Sequence, residues 1–257
     1  MGMQTYNDYL CRQLDGFNSN ETIFGEQATA STTLFTTPNN LFTLQRCGTI
    51  KTMPSLPSGV TSFIPTSLSI ASSTASNNAI VGQLVDLGSL NLATPTFTDG
   101  SAMPTVTELG VSTQIPSTIL AEVTTVLNAT PGSLTVTYID QDNNSAETTT
   151  SHTIGASAVV GSVGLIQLNA GDWGALDITS ATRTGGTTPT GIIKFWGIVP
   201  LCLMPLSPNS AGFAASEDFI LNGTNPMKLT AGDIIGVINT STTAKAIMGQ
   251  INFLGDN

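Results

Sequence analysis

His152 is the sole histidine of the 257-residue chain, and it stands among hydroxyls in Thr149-Thr150-Ser151-His152-Thr153-Ile154. An imidazole within reach of a serine is the core of nucleophilic acyl transfer, where it takes the hydroxyl proton and returns it to the leaving group. That chemistry also needs the serine on a sharp, exposed turn, and no G-x-S-x-G segment occurs. Asp140, Asp142 and Asn144 reproduce the first half of a D-x-[DN]-x-[DN] loop, in which alternate oxygens converge on a hard cation. The second half fails, because Ser145 stands where the tight turn needs glycine and Ser151 where a bidentate carboxylate belongs. Glu217 and Asp218 would make the paired carboxylates of a glycosidase only if both faced one cleft, whereas neighbours on a strand point to opposite faces. Trp173 and Trp196 could stack on a sugar, but large aromatics in a β-sandwich belong first to its core. No catalytic residue, metal ligand set or cofactor is expected.

The wider composition removes whole classes of chemistry. From Thr52 to Thr182 there is no Lys and no Arg, so that stretch offers neither a phosphate-binding lysine nor an arginine clamp. With 17 acidic against 7 basic residues the net charge is −10, which repels nucleic acid and anionic membranes and leaves a basic protein surface as the complementary partner. Charged residues make up 9% of the chain against a usual share of roughly 25%; Thr, Ser, Asn and Gly take their place. Cys11, Cys47 and Cys202 are an odd number without C-x-x-C spacing, so neither a disulfide framework nor a zinc site is expected. No run approaches the roughly 18 apolar residues of a membrane span. The opening Met1-Gly2-Met3-Gln4-Thr5-Tyr6 lacks a cationic start and an apolar stretch, so synthesis and folding in a cytoplasm are expected.

The elements that must position these groups read as strands. Candidates recur at intervals of roughly ten residues, the spacing of a sandwich or barrel: Ile80 to Leu92, Thr118 to Leu127, Leu134 to Ile139, Gly164 to Leu168, Ala175 to Thr182, Gly191 to Val199, Asp218 to Leu221, Ile234 to Ile238 and Ala244 to Leu254. Leu134, Val136 and Tyr138 alternate with Thr135 and Thr137, the period of a half-buried antiparallel strand. The run from Ile192 to Leu206 is the most apolar in the chain; it fits a central strand, or one whose outer face meets a neighbouring subunit. Residues 1–78 read differently. Tyr6, Tyr9, Leu10, Cys11 and Leu14 fall near one helical face and Thr5 could cap with Asp8, so a short helix is expected over residues 5–15. Scattered apolar residues follow, then a Ser/Thr/Pro-rich linker or loosely paired strand region ending near Asn78. The expected organisation is an extended N-terminal arm, 1–78, on an all-β antiparallel sandwich body, 79–257.

Three segments, Asn91 to Thr105, Leu134 to Asp142 and Gln167 to Gly174, resemble stretches of capsid-associated structural proteins of tailed bacteriophages. The resemblance covers roughly residues 80–257. Its middle turn more often reads Asn-Gln-Asp-Gly in that family, and Asp140 and Asn143 depart from it here. The resemblance implies a virion component with a jelly-roll-like sandwich, a cement or decoration protein made in the host cytoplasm, and it carries no catalytic residue to transfer. The expected partners are the major capsid protein or other virion proteins, with a homo-oligomer, taken as a trimer, closing by rotational symmetry. Phe17, Phe24, Phe35 and Phe42 on the arm, with Phe195 and Trp196 in the body, are the expected subunit or capsid contacts. The alternative is a host-recognition head or tail fibre protein that binds glycans through Trp173 or Trp196.

Overall fold

The computed structural model describes residues 4–9, 33–34, 42–46, 62–72, 78–108, 111–158, 160, 162–205, 213–218, 234–240 and 247–256. Every regular element among them is a strand. The first five are β1 (Gln4–Tyr9), β2 (Thr33–Leu34), β3 (Phe42–Arg46), β4 (Ser62–Ser72) and β5 (Asn78–Asn91). Short strands follow as β6 (Thr96–Asp99), β7 (Thr105–Glu108) and β8 (Val111–Gln114), then β9 (Ile119–Thr125), β10 (Ser133–Asp140), β11 (Glu147–Thr148), β12 (His152–Ile154) and β13 (Val163–Ile166). The last are β14 (Ala175–Thr184), β15 (Ile192–Pro205), β16 (Phe213–Asp218), β17 (Ile234–Thr240) and β18 (Ile247–Asp256). The fold is an all-β antiparallel sandwich.

The chain forms two compact units, one of Met1–Ser19, Thr43–Leu84 and Pro200–Asn257, the other of Asn20–Phe42 and Val85–Val199. This division does not follow the boundary expected at residue 78. In the first unit a four-stranded sheet runs β1-β18-β4-β16, so strands from residues 1–78 and from the end of the chain share one ladder. Where a helix is expected from Thr5, β1 instead pairs antiparallel with β18, Thr5 opposite Leu254 and Tyr6 opposite Phe253. Thr and Tyr suit a pleated surface, and a partner strand outweighs a marginal helical stripe. β4, in the stretch read as a linker or loosely paired strand region, is paired on both edges, with β16 and β18. Its register against β18 slips between Asn252 and Phe253, where Phe253 comes opposite Pro65; proline has no N–H to give the ladder, so the slip falls where the donor is missing.

The second unit contains His152, Asp140, Asp142, Asn144, Trp173 and Trp196, whereas Glu217 and Asp218 end β16 of the first. β10 pairs along its whole length with β14, from Ser133 opposite Thr184 to Asp140 opposite Ala175, and β11 and β12 pair with β10 as well. A second sheet runs β13-β9-β15-β5, with β6 folded back on β5. Leu87, Leu90, Ile119, Val123, Ile193 and Phe195 from this sheet, and Leu134, Val136, Tyr138 and Ile178 from the first, are fully buried. Each such side chain adds about 1.5–3 kcal/mol of hydrophobic stabilisation over an exposed position. The alternation read in β10 holds: Leu134, Val136 and Tyr138 face the core while Thr135 and Thr137 are half-buried.

β15 shows why consecutive apolar residues were needed. It lies between β9 and β5, and Ile193, Phe195, Trp196, Ile198 and Val199 are all buried. Both faces of the strand are covered over this stretch, the condition that removes alternation.

Candidate functional site

Two loops of the second unit meet the end of β10 in a hydrogen-bonded bracket. Tyr138 is fully buried, and its hydroxyl reaches the loop that precedes β14. There it donates to Asp172 Oδ2 at 2.5 Å and accepts the Asn169 N–H at 2.9 Å. The loop closes on itself where Asp172 N–H donates to the Asn169 carbonyl, 3.1 Å. Asn169 Nδ2 donates to Glu147 Oε2 at 2.9 Å. From the turn after β10, Gln141 Oε1 accepts the backbone N–H groups of Trp173 and Gly174, at 3.1 and 3.4 Å, while its Nε2 donates to Asp142 Oδ2 at 3.0 Å. The backbone of Trp173 is therefore anchored from two sides. Its side chain is not: Trp173 is 66% exposed.

The same geometry accounts for the titration of Tyr138. Burial raises its pKa above the ordinary value, and the hydrogen bond to the Asp172 carboxylate adds to the rise because an ionised phenol could not donate it.

Asp140 holds its own turn. Its Oδ1 accepts the N–H groups of Asp142 and Asn144, at 2.9 and 2.7 Å, and its Oδ2 accepts Asn144 Nδ2 at 2.8 Å. Burial alone would push the Asp140 carboxyl up, but these bonds to the charged form outweigh it and its pKa lies below the ordinary value. The spacing that mimics half a calcium loop thus serves a turn in which the Asp140 oxygens are taken by N–H groups. Among the described residues no group of three or more His, Cys, Asp or Glu is placed to hold a metal ion.

His152 points into the core beside Ile154 on β12, with no exposed surface. Neither ring nitrogen reaches a partner at full hydrogen-bond geometry. Burial pushes its pKa down, and the Gln167 backbone opposes this without cancelling it. An enclosed imidazole of this kind is a packing residue that a substrate cannot reach.

The two tryptophans have opposite fates. Trp196 is 2% exposed, and its indole Nε1 donates to the buried Glu122 Oε2 at 2.7 Å. Lys194 Nζ lies 4.6 Å from the Trp196 ring centroid and 2.6 Å from Asp86 Oδ2. Glu122 on β9, Lys194 and Trp196 on β15 and Asp86 on β5 form a row across three adjacent strands, with Lys194 directly opposite Glu122. Phe195, expected at a subunit or capsid contact along with Trp196, is fully buried and meets Phe97 with ring centroids 6.2 Å apart. Neither Phe195 nor Trp196 reaches a surface; both are core because β15 is central. Phe17, Phe24 and Phe35 lie outside the described residues, as does the side chain of Phe42, the first residue of β3. Trp173, read as core, is the large aromatic that is exposed among the described residues.

No family model matches the chain, and no curated protein matches it either. A solved structure of a mutant VP2 protein of infectious bursal disease virus, in derived T=1 particles, is 12% identical over 76% of this chain and 64% of that one, with a TM-score of 0.14. The chain therefore spans less than two thirds of that protein's length.

The bracket was partly legible. Tyr138 stands out as the large residue on the apolar face of a strand, and Gln167 to Gly174 as a segment of the resemblance. Nothing in the spacing joins them, because a contact between residues 31 to 34 apart in the chain is set by how the two loops return to one end of the sheet.

Proposed function

We propose that this chain is a non-enzymatic structural protein of a bacteriophage virion, seated on the capsid shell as a cement or decoration protein. One observation carries the reading. Two of the segments that resemble phage capsid-associated proteins, Leu134 to Asp142 and Gln167 to Gly174, are the two halves of the bracket made by Tyr138, Gln141, Asn169 and Asp172. What the resemblance follows is thus a device that fastens loops to a sheet. The carboxylates support the same view. Asp86, Asp99, Glu122, Asp140, Asp142, Glu147, Asp172 and Asp177 each accept a hydrogen bond from this chain.

A protein of this kind gains from its copy number. Each contact with the shell contributes modestly, and linked contacts on one particle reinforce one another through effective concentration. The test is quantitative mass spectrometry of purified particles together with native mass measurement of the full chain. Hundreds of copies per particle and a closed oligomer in solution are expected. A few copies would move the protein to a neck or fibre, and its absence from particles would end the virion reading.

A further inference from the structure

We propose that Trp173 is a docking platform for an arginine side chain of a partner protein. The inference rests on the reading above and names the chemistry of the partner.

Three observations carry it. First, the ring is carried on a fixed backbone: Gln141 and the Tyr138–Asp172–Asn169 bonds hold the chain on both sides, and the side chain is 66% exposed. A braced loop that leaves its largest apolar group in water gives up burial that the core could have used. Second, the bracket carries negative charge. Gln141 Nε2 goes to Asp142, Asn169 Nδ2 to Glu147 and Asn144 Nδ2 to Asp140. Asp172 precedes Trp173 in the chain, and Asp142 is bonded to the Gln141 that holds the Trp173 backbone; each accepts a described bond at Oδ2 alone. A cationic ligand complements these carboxylates. Third, the chain already uses this recognition once. Lys194 lies over the Trp196 ring and pairs with Asp86. Trp173 has Asp172 beside it in the chain, and the two basic residues of this unit, Arg183 and Lys194, are bonded to the Gly185 carbonyl and to Asp86.

Arginine fits better than lysine. Its planar guanidinium stacks on an indole face and carries five donors and no acceptor, matched to an indole whose loop carries the Asp172 carboxylate.

The test is calorimetric titration of the full-length protein at low salt with hexa-arginine amide, hexa-lysine amide and a neutral oligosaccharide. Saturable binding of hexa-arginine is expected, tighter than hexa-lysine and accompanied by a change in tryptophan emission. Trp173→Ala, a change at an exposed side chain, should weaken it about tenfold, and Asp142→Asn by roughly two- to fivefold. Equal binding by Trp173→Ala and parent overturns the proposal, as does the absence of saturation. Saturable oligosaccharide binding that is lost in Trp173→Ala overturns it in favour of a glycan site. Particle counts separate the two readings. If parent and Trp173→Ala enter particles equally and hexa-arginine does not bind, the platform falls and the virion reading stands. If the parent is absent from particles, the virion reading falls whatever the peptide does.

Discussion

Tyr138→Phe removes one oxygen atom from the bracket and leaves the buried ring in place. Two bonds go with it: the donation to the Asp172 carboxylate at 2.5 Å and the acceptance of the Asn169 N–H at 2.9 Å. A hydrogen bond to a charged group contributes about 1.5–3 kcal/mol and a neutral one about 0.5–1.5 kcal/mol. Asp172 and Asn169 are half-buried, so water recovers part of the loss, and a net cost of about 2–3 kcal/mol is expected. Urea unfolding followed by far-ultraviolet circular dichroism should show the midpoint falling by roughly 1 M with an unchanged slope. The same oxygen predicts an alkaline limit. Because the folded pKa of Tyr138 is raised by burial and by Asp172, its contribution is fully present below the unfolded value near pH 10 and is lost as pH rises beyond it. Tyr138→Phe should remove that slope. A loss under about 0.5 kcal/mol together with an unchanged alkaline slope would refute the view that the bracket bears load.

Three further expectations follow from the core and its turns. His152 is held neutral by burial; its folded pKa lies below the unfolded value near 6.5, so the unfolded chain binds the proton first and stability falls as pH drops through that value. The urea midpoint should fall between pH 7.5 and 5.5 in the parent and stay flat in His152→Leu. A Cβ at Gly197 would collide with the Met103 sulfur, so Gly197→Ala should cost about 1–3 kcal/mol. Met103→Ala opens room there, and the double variant should be more stable than the sum of the single losses predicts, by about 0.5–3 kcal/mol of coupling in a thermal or urea cycle. Asn143 has φ +65°, where asparagine and glycine are tolerated; Asn143→Gly should be within about 0.5 kcal/mol of the parent and Asn143→Val worse by about 1–2 kcal/mol in the same urea assay.

The positive φ of Asn143 also explains one departure noted in the sequence. Where the resemblance leads to an expectation of glycine the chain has Asn143, the other residue that takes a positive φ at little cost. Strand content was legible for a similar reason: β10, β14 and β15 follow from alternation, β-branching and turn residues, all local signals. The failures were non-local. The stripe through Tyr6, Tyr9 and Leu10 reads as a helix when β18, about 245 residues later, is out of view. β4 reads as a linker or a loosely paired strand because serine, threonine and Pro65 weaken its strand signal, and its two partners lie at the other end of the chain.

The tryptophans show what governs legibility of a site. Both are large, rare aromatics, and hydrophobicity alone assigns both to the core. Trp196 is buried because it lies in an apolar run that must be a central strand, and its polar N–H is satisfied by Glu122 from the neighbouring strand. Trp173 follows Gly171-Asp172, two residues that make a turn, and Gly171 takes φ +104° there. A side chain on such a turn has no sheet face to enter. The neighbours that decide the matter are Gly171 and Asp172 before the ring and Gly174 after it, since they fix the backbone in a loop while its amides are drawn to Gln141. An aromatic flanked by turn residues in a charge-poor β protein is therefore a surface candidate, whereas one flanked by β-branched and aromatic residues is core.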